Sequence, residues 1–336
     1  MNLASPFDRP RKHRKVHGIA AALLPFESDG RVAVDAFQKH LLATHRAGLE
    51  NAVNMDTGYV SLLSDAEKRK VLQWTREALG KDLPFVAGAF IEGQTGRIAE
   101  LYRKQMDAIV GFGGTPILFQ TSQLQGRPAK EKVEIYRETC RGYPGVLAFE
   151  LGQMFAPNGE IFDTDTILGL MEIPDILGIK HSSLNRLVEL ERLALRDVHR
   201  PDFHIYTGND LGINMIEYGS DYLLGLATFA PEKFAERDRL WETADPQYFA
   251  LSDSLQYLGN VAFREPVPAY KHSAAVFLHL AARIPSDRTH PKNPQRPIWE
   301  IELMRDCMRR LDESTSPPQR TQESESNMMK PSHESR

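Results

Sequence analysis

Lys180 closes the segment Ile176-Leu177-Gly178-Ile179-Lys180-His181-Ser182-Ser183. An amine at the end of an aliphatic run is poorly hydrated. Desolvation disfavours its ammonium form, lowers its pKa and turns it into a nucleophile toward carbonyl carbon. The competing reading is a surface lysine whose stem lies along a strand end while its head stays in water. A second segment, Asn54-Met55-Asp56-Thr57-Gly58-Tyr59, combines the Thr57 hydroxyl with a turn at Gly58. Such a turn can present O–H and N–H groups to an anionic or polar substrate end, although it also reads as an ordinary Asp/Thr/Gly turn. Thr207-Gly208-Asn209-Asp210 ends another apolar run, and its Asn and Asp are natural helix caps. In Phe149-Glu150-Leu151-Gly152-Gln153 a glutamate stands where it could move protons. Side chains alternate along a strand, so Phe149 and Glu150 cannot both face one side of it.

Other chemistries find no support. There is no Gly-x-Gly-x-x-Gly, P-loop, His-Glu-x-x-His or Gly-x-Ser-x-Gly pattern, and the 11 histidines lack metal-ligand spacing. No cofactor and no metal are expected. Cys140 and Cys307 are too few for a disulfide framework or a cysteine zinc site. A balance of 41 Lys+Arg against 45 Asp+Glu gives a net charge of −4, which calls for no nucleic-acid partner. No apolar run reaches the roughly 18 residues of a membrane helix. The expectation is a soluble, cytoplasmic protein with a small-molecule partner.

These segments need a frame to bring them together. The 336 residues are 41% hydrophobic and 26% charged, enough for a sizeable core. Apolar runs at His17–Leu24, Asn51–Asn54, Phe85–Gly88, Pro116–Phe119, Val146–Leu151, Leu177–Lys180, His204–Thr207 and Asp221–Leu226 read as strands. Each precedes apolar residues at helical spacing: Val34–Ala47, Asp65–Leu79, Thr95–Val110, Ala129–Arg141, Asp163–Met171, Leu184–Val198, Asp210–Tyr218 and Pro231–Glu242. The strands are nearly continuous apolar runs, as in parallel sheets covered by helices on their outer face. Eight such units of about 29 residues predict an α/β fold, a (β/α)8 TIM barrel over residues 16–244. Helical patterns at Pro246–Gly259, Pro266–Ala282 and Pro297–Leu311 predict a small C-terminal helical extension over 245–312. Residues 1–15 read as a flexible arm, and 313–336, rich in Ser, Glu, Gln, Pro and basic residues, as a disordered tail.

The order of these motifs resembles the dihydrodipicolinate synthase/N-acetylneuraminate lyase family of Schiff-base aldolases and lyases. Gly18–Phe26 with Asp29-Gly30 is similar to the family's first strand and Thr-Pro-Phe motif, with Leu24 in place of the threonine. Met55–Tyr59 occupies the place of its Gly-Thr-Thr-Gly-Glu carboxylate loop, and Gly178–Ser183 resembles the segment carrying the Schiff-base lysine. Gly208-Asn209-Asp210, Gly219–Gly225 with Pro231, and Pro268-Ala269-Tyr270-Lys271 also have counterparts there. The resemblance spans about residues 16–300 and departs from the family pattern: Phe149-Glu150, or Ala148-Phe149 if slipped by one, stands where the family has its catalytic tyrosine, Asp56 replaces the first threonine of the carboxylate loop, and Phe119-Gln120-Thr121-Ser122-Gln123 replaces the strand-four Pro-Tyr-Tyr region.

The resemblance implies a lyase or aldolase acting on a 2-oxo acid or related carbonyl compound, assembled as a homodimer or homotetramer. Lys180 would form the imine, with Glu150, Tyr59, Asp56 or a bound water replacing the missing tyrosine as proton carrier. Asp56, Thr57, Gly58, Phe149, Gly208 and Asp210 would line the substrate site. The negative charge of Asp56 suits a neutral or hydroxylated substrate end better than a carboxylate. The alternative is a barrel that has lost turnover and binds a small molecule as a regulatory protein.

Overall fold

Parallel strands need a crossover each, and here every crossover is a helix or a short helical turn packed outside the sheet. A computed structural model describes residues 10–315. Its strands β1 (Gly18–Ala21), β2 (Glu50–Val53), β3 (Phe85–Ala89), β4 (Thr115–Leu118), β5 (Val146–Leu151), β6 (Ile176–Ser182), β7 (His204–Thr207) and β8 (Asp221–Leu224) pair in sequence order, and β8 closes onto β1. Around them lie α1 (Val34–Ala47), α2 (Asp65–Leu79), α3 (Ile98–Gly111), α4 (Ala129–Cys140), α5 (Thr164–Met171), α6 (Arg186–His199) and α7 (Pro231–Glu242). The expected (β/α)8 barrel is the observed architecture. The extension follows as α8 (Gln247–Ala262), α9 (Tyr270–Leu280) and α10 (Glu300–Glu313).

Strand alternation divides the apolar residues into two cores. Ile19, Ala52, Val86, Ile117, Leu147 and Leu223 fill the barrel interior. Ala20, Val53, Ala87, Leu118, Ala148 and Ile179 point outward into a larger core beneath the helices. Helix ends are set locally. Ser64 and Glu67 form a capping box at the start of α2, and Gly48 ends α1 in the left-handed region at φ 101°.

Two expected elements change form. The pattern over Asp210–Tyr218 gives a 3₁₀ segment, Ile213–Tyr218, instead of an α-helix. The Asn209 side chain accepts from the Leu211 N–H at 3.0 Å and Asp210 from the Leu226 N–H at 2.7 Å, so the side chains that might start a helix satisfy other backbone groups. The pattern over Pro266–Ala282 splits into a short 3₁₀ turn, Val267–Ala269, and α9. Of the expected arm, residues 10–15 are held against the barrel base: the Arg11 N–H donates to Glu217 O, and Arg14 pairs with Asp221 at 2.8 Å. The tail expected at 313–336 falls almost wholly outside the described residues; its first residue, Glu313, closes α10.

The same alternation decides the orientation of Glu150. Phe149 faces the barrel interior and Glu150 faces the helix layer, fully buried. Its carboxylate accepts from His181 Nδ1 at 2.6 Å and from Arg192 Nε at 3.0 Å, and its other oxygen accepts from the Phe162 N–H at 2.8 Å. Burial alone would raise its pKa, but His181 and Arg192 outweigh that and hold it at about 2. Glu150 is therefore a structural anchor between β5, β6 and α6, and the expectation of a catalytic Glu150 is corrected: every oxygen lone pair that matters is turned away from the barrel mouth. Glu150→Ala leaves Arg192 buried without its carboxylate and is expected to cost about 3–5 kcal/mol in denaturant unfolding. Because the folded pKa is depressed, the pair's contribution is present above pH 4.5 and lost as pH falls toward 2.

Candidate active site

At the C-terminal ends of the strands the barrel opens into a cavity of ≈ 310 Å³. Lys180 projects into it from β6 because Ile179 and His181, its neighbours in sequence, point outward into the helix layer. Its partner in register on β5 is Phe149, and its Nζ lies 4.4 Å from the centroid of that ring. Among the described residues, Lys180 makes no salt bridge and donates no hydrogen bond. Desolvation drives its pKa down to about 8, with the charges of Asp210 and Asp56 limiting the fall. By proportion, about one amine in ten is then neutral at pH 7, against fewer than one in a thousand for an ordinary lysine.

Asp210 reaches the same cavity from the end of β7, where the expected cap role would have placed it outside. Burial raises its pKa to about 7 despite the Leu226 N–H that it accepts and the nearby Lys180. A group poised there can hold and release a proton near neutral pH. Gly208, which precedes it by two residues, matters through its missing side chain. A Cβ at that position would lie 2.0 Å from Ser182 Oγ and 2.7 Å from Lys180 Cε. Gly208 therefore leaves the space that the lysine stem occupies.

The loop after β2 supplies the polar wall. Met55 O accepts from the N–H groups of Gly58 and Val60, which folds Asp56–Gly58 into a 3₁₀ turn at the mouth. Thr57 is buried and shares a 2.9 Å hydrogen bond with the Tyr270 hydroxyl. The carboxylate of Asp56 opens onto the cavity and accepts, through Oδ2, from the Tyr270 hydroxyl at 3.0 Å and from Lys271 Nζ at 2.8 Å. Burial would raise the Asp56 pKa, but Lys271 and the Tyr270 hydroxyl keep it below its ordinary value. Tyr59 does not join them. At φ 61° the backbone turns it out of the mouth, and its ring packs against Phe26 and His290. The expectation of Tyr59 as a proton carrier is corrected by that turn.

Tyr270 and Lys271 were not among the expected site residues. They sit at the first turn of α9, and the Tyr270 ring stacks on Phe263 at 4.3 Å, its plane within 16° of parallel. The segment Pro268-Ala269-Tyr270-Lys271 was visible in the sequence as a likeness to the family's C-terminal helix, but nothing local marks it as part of a barrel site. The remaining walls are apolar. Phe119 meets Phe149 edge-on at 5.0 Å and Phe90 at 5.6 Å, while Met154 and Phe155 close over from the loop after β5. Of the expected binding residues, Asp56, Thr57, Phe149, Gly208 and Asp210 line the cavity; Gly58 shapes the turn beneath it. No group of three or more His, Cys, Asp and Glu side chains that could hold a metal ion occurs among the described residues. No helix there is long and apolar enough to cross a membrane.

No protein-family model matches the chain. Curated proteins do. The chain is 24% identical over 222 residues to a 4-hydroxy-tetrahydrodipicolinate synthase of Kosmotoga olearia, which covers 65% of this chain and 72% of that one. With the Rickettsia felis protein of the same name it shares 27% over 271 residues, 78% of this chain and 87% of the relative. Among solved structures, dihydrodipicolinate synthase from Thermotoga maritima superposes with a TM-score of 0.74 at 17% identity, covering 90% of this chain and 99% of that one. These likenesses fit a divergent relative of the dihydrodipicolinate synthase/N-acetylneuraminate lyase family. The dihydrodipicolinate synthase of Acinetobacter baumannii, solved in complex with pyruvate, superposes at a TM-score of 0.74 with 20% identity, over 89% of this chain and 99% of that one. At such identities the superpositions speak for the barrel shared across the family and not for what each barrel does.

Gly208→Ala is expected to displace the Lys180 stem and slow imine formation at that lysine by roughly tenfold or more, while circular dichroism shows the barrel still folded. The rate of reductive trapping at Lys180, followed by mass spectrometry, measures it.

Proposed function

We propose that this protein is a Schiff-base-forming lyase or aldolase acting on a small carbonyl compound. The observation that carries the reading is the Lys180 amine: desolvated, free of any salt bridge among the described residues, and aimed into an apolar cavity at the barrel mouth. Curated relatives named as synthases of this family support a lyase-type reaction.

The chemistry follows from the arrangement. The neutral Lys180 amine adds to the substrate carbonyl carbon. Asp210, which holds a proton near neutral pH, gives it to the departing hydroxyl, and water leaves to form the iminium. The face of the Phe149 ring, 4.4 Å from Nζ, stabilises that cation in a site with little water. Phenylalanine at this position cannot move protons, but it favours the charged intermediate. The iminium then accepts the electron pair of the adjacent C–C or C–H bond and becomes an enamine. For a β-hydroxy substrate, a base removes the hydroxyl proton as the C–C bond breaks and an aldehyde departs.

Proton movement falls to the Thr57–Tyr270–Asp56 chain. Tyr270 bridges the Thr57 hydroxyl and an ionised carboxylate that opens on the cavity. Burial raises the Tyr270 pKa well above its ordinary value, so the phenol stays protonated and acts as a donor while Asp56 is the acceptor. The hydroxyl absent from β5 is thus supplied by α9, from the other side of the mouth.

Incubation of the full chain with borohydride and a panel of small ketones and 2-oxo acids is expected to leave a reduced adduct on the Lys180 peptide. Lys180→Ala should abolish it. No adduct across the panel, with ligand binding retained in Lys180→Ala, would instead identify a binding protein. Tyr270→Phe is expected to keep the adduct but to slow deuterium exchange at the carbon beside the imine by about 10²-fold, read by NMR in D₂O.

A further inference from the structure

We propose that the carbonyl compound taken by this site is an uncharged aryl ketone or aldehyde bearing a hydroxyl group, rather than a 2-oxo acid. The inference rests on the imine reading above and specifies what the imine is made from.

The first support is the charge of the walls. Among the described residues lining the cavity, the acidic side chains are Asp56, Glu92 and Asp210, and the basic one is Lys180. Lys271 comes near but is only 6% exposed and is committed to Asp56 at 2.8 Å. Glu92 is fixed as an acceptor by the Ser122 N–H at 2.7 Å and the Ser122 hydroxyl at 2.8 Å. A carboxylate beside the imine carbon would meet the ionised Asp56 across the cavity, where like charges repel. Among the described residues, no arginine or histidine lines the cavity to offset that repulsion.

The second is an unused acceptor. Both side-chain donors to Asp56 reach Oδ2, and among the described residues nothing bonds Oδ1. The Asp56 side chain is 55% exposed and faces the cavity. A carboxylate oxygen so placed is complemented by a donor, and a substrate hydroxyl provides one.

The third is the apolar wall that begins at the amine. Phe149 lies against Lys180 Nζ, Phe119 meets Phe149 edge-on, and Phe90 meets Phe119 in the same way. Three rings in edge-to-face contact present a continuous aromatic surface, and Phe155 and Met154 add to the apolar lining. An aryl group extends this packing, whereas a short 2-oxo acid leaves it empty. Hydrocarbon on one side of the amine and an acceptor on the other require an amphipathic substrate: ring against the phenylalanines, carbonyl at Lys180, hydroxyl toward Asp56.

The test compares two probes on the full chain, 1-hydroxy-3-phenylpropan-2-one, whose ring and hydroxyl flank its carbonyl on opposite sides, and pyruvate, each titrated with cyanoborohydride present and read as the reduced adduct on Lys180. The aryl ketone is expected to half-saturate labelling at a concentration at least about tenfold below that of pyruvate. Phe119→Ala should weaken the aryl ketone several-fold and leave pyruvate unchanged, and Asp56→Asn should narrow the gap by improving pyruvate. Pyruvate labelling at an equal or lower concentration overturns the proposal. If neither probe labels Lys180, it is the imine reading that fails. Saturation-transfer NMR on Lys180→Ala then reads the cavity's preference without covalent chemistry: the aryl ketone bound ahead of pyruvate supports the proposal, and the reverse overturns it.

Discussion

An ammonium group removed from water is stabilised only by what surrounds it, and at the top of this barrel very little does. Lys180 is flanked by a phenyl ring, held clear of any salt bridge among the described residues, and reached by the charges of two carboxyl groups that do not bond it. The free-energy cost of keeping that charge dry is what lowers the amine's proton affinity. Other features of the site depend on this condition. Phe149 lies against the amine on the neighbouring strand, Gly208 leaves room for its stem, and Asp210 has its own pKa raised by the same scarcity of water. A closed parallel barrel can maintain such a place because its interior is filled by side chains up to the mouth, and each strand aims alternate residues into it.

That alternation also explains how two charged groups adjacent on the strands take opposite parts. Glu150 and His181 lie one residue beyond Phe149 and Lys180 and face the helices, where they meet Arg192 in a buried network. Buried, paired and hydrogen-bonded, Glu150 stays ionised and ties the barrel wall to α6. Lys180, half-buried and without an ion-pair partner among the described residues, becomes reactive. The same dry protein interior thus holds one ionisable group in place and activates the other, and the difference lies in the partners.

Much of this was legible in the sequence. The strands Val146–Leu151 and His204–Thr207 and the helices Val34–Ala47, Asp65–Leu79 and Pro231–Glu242 fall where periodicity puts them, because a buried strand and an amphipathic helix impose their patterns residue by residue. Lys180 was legible for the same reason: an amine interrupts an aliphatic run only where something accommodates it. The orientation of Glu150 was not settled, since alternation says that Phe149 and Glu150 diverge without saying which faces inward. Tyr59 was misplaced because a left-handed turn at a non-glycine residue leaves no mark in composition. Tyr270 stands more than 200 residues from the Thr57 hydroxyl it bonds, and its role arises from tertiary packing of α9 on the barrel mouth. The helix expected at Asp210 gave way to a 3₁₀ segment because Asn209 and Asp210 bond other backbone groups, which a pattern of apolar positions does not show.

Reactivity at this site stands on the proton affinity of one side chain. Reductive methylation with ¹³C-formaldehyde, assigned through Lys180→Arg, gives the Lys180 dimethylamino resonance, whose chemical shift can be titrated from pH 5 to 11. A midpoint near 8, well below those of the surface lysines, is the expected result. A midpoint at the ordinary lysine value of about 10.4 would contradict it and remove the basis for an amine nucleophile at this site.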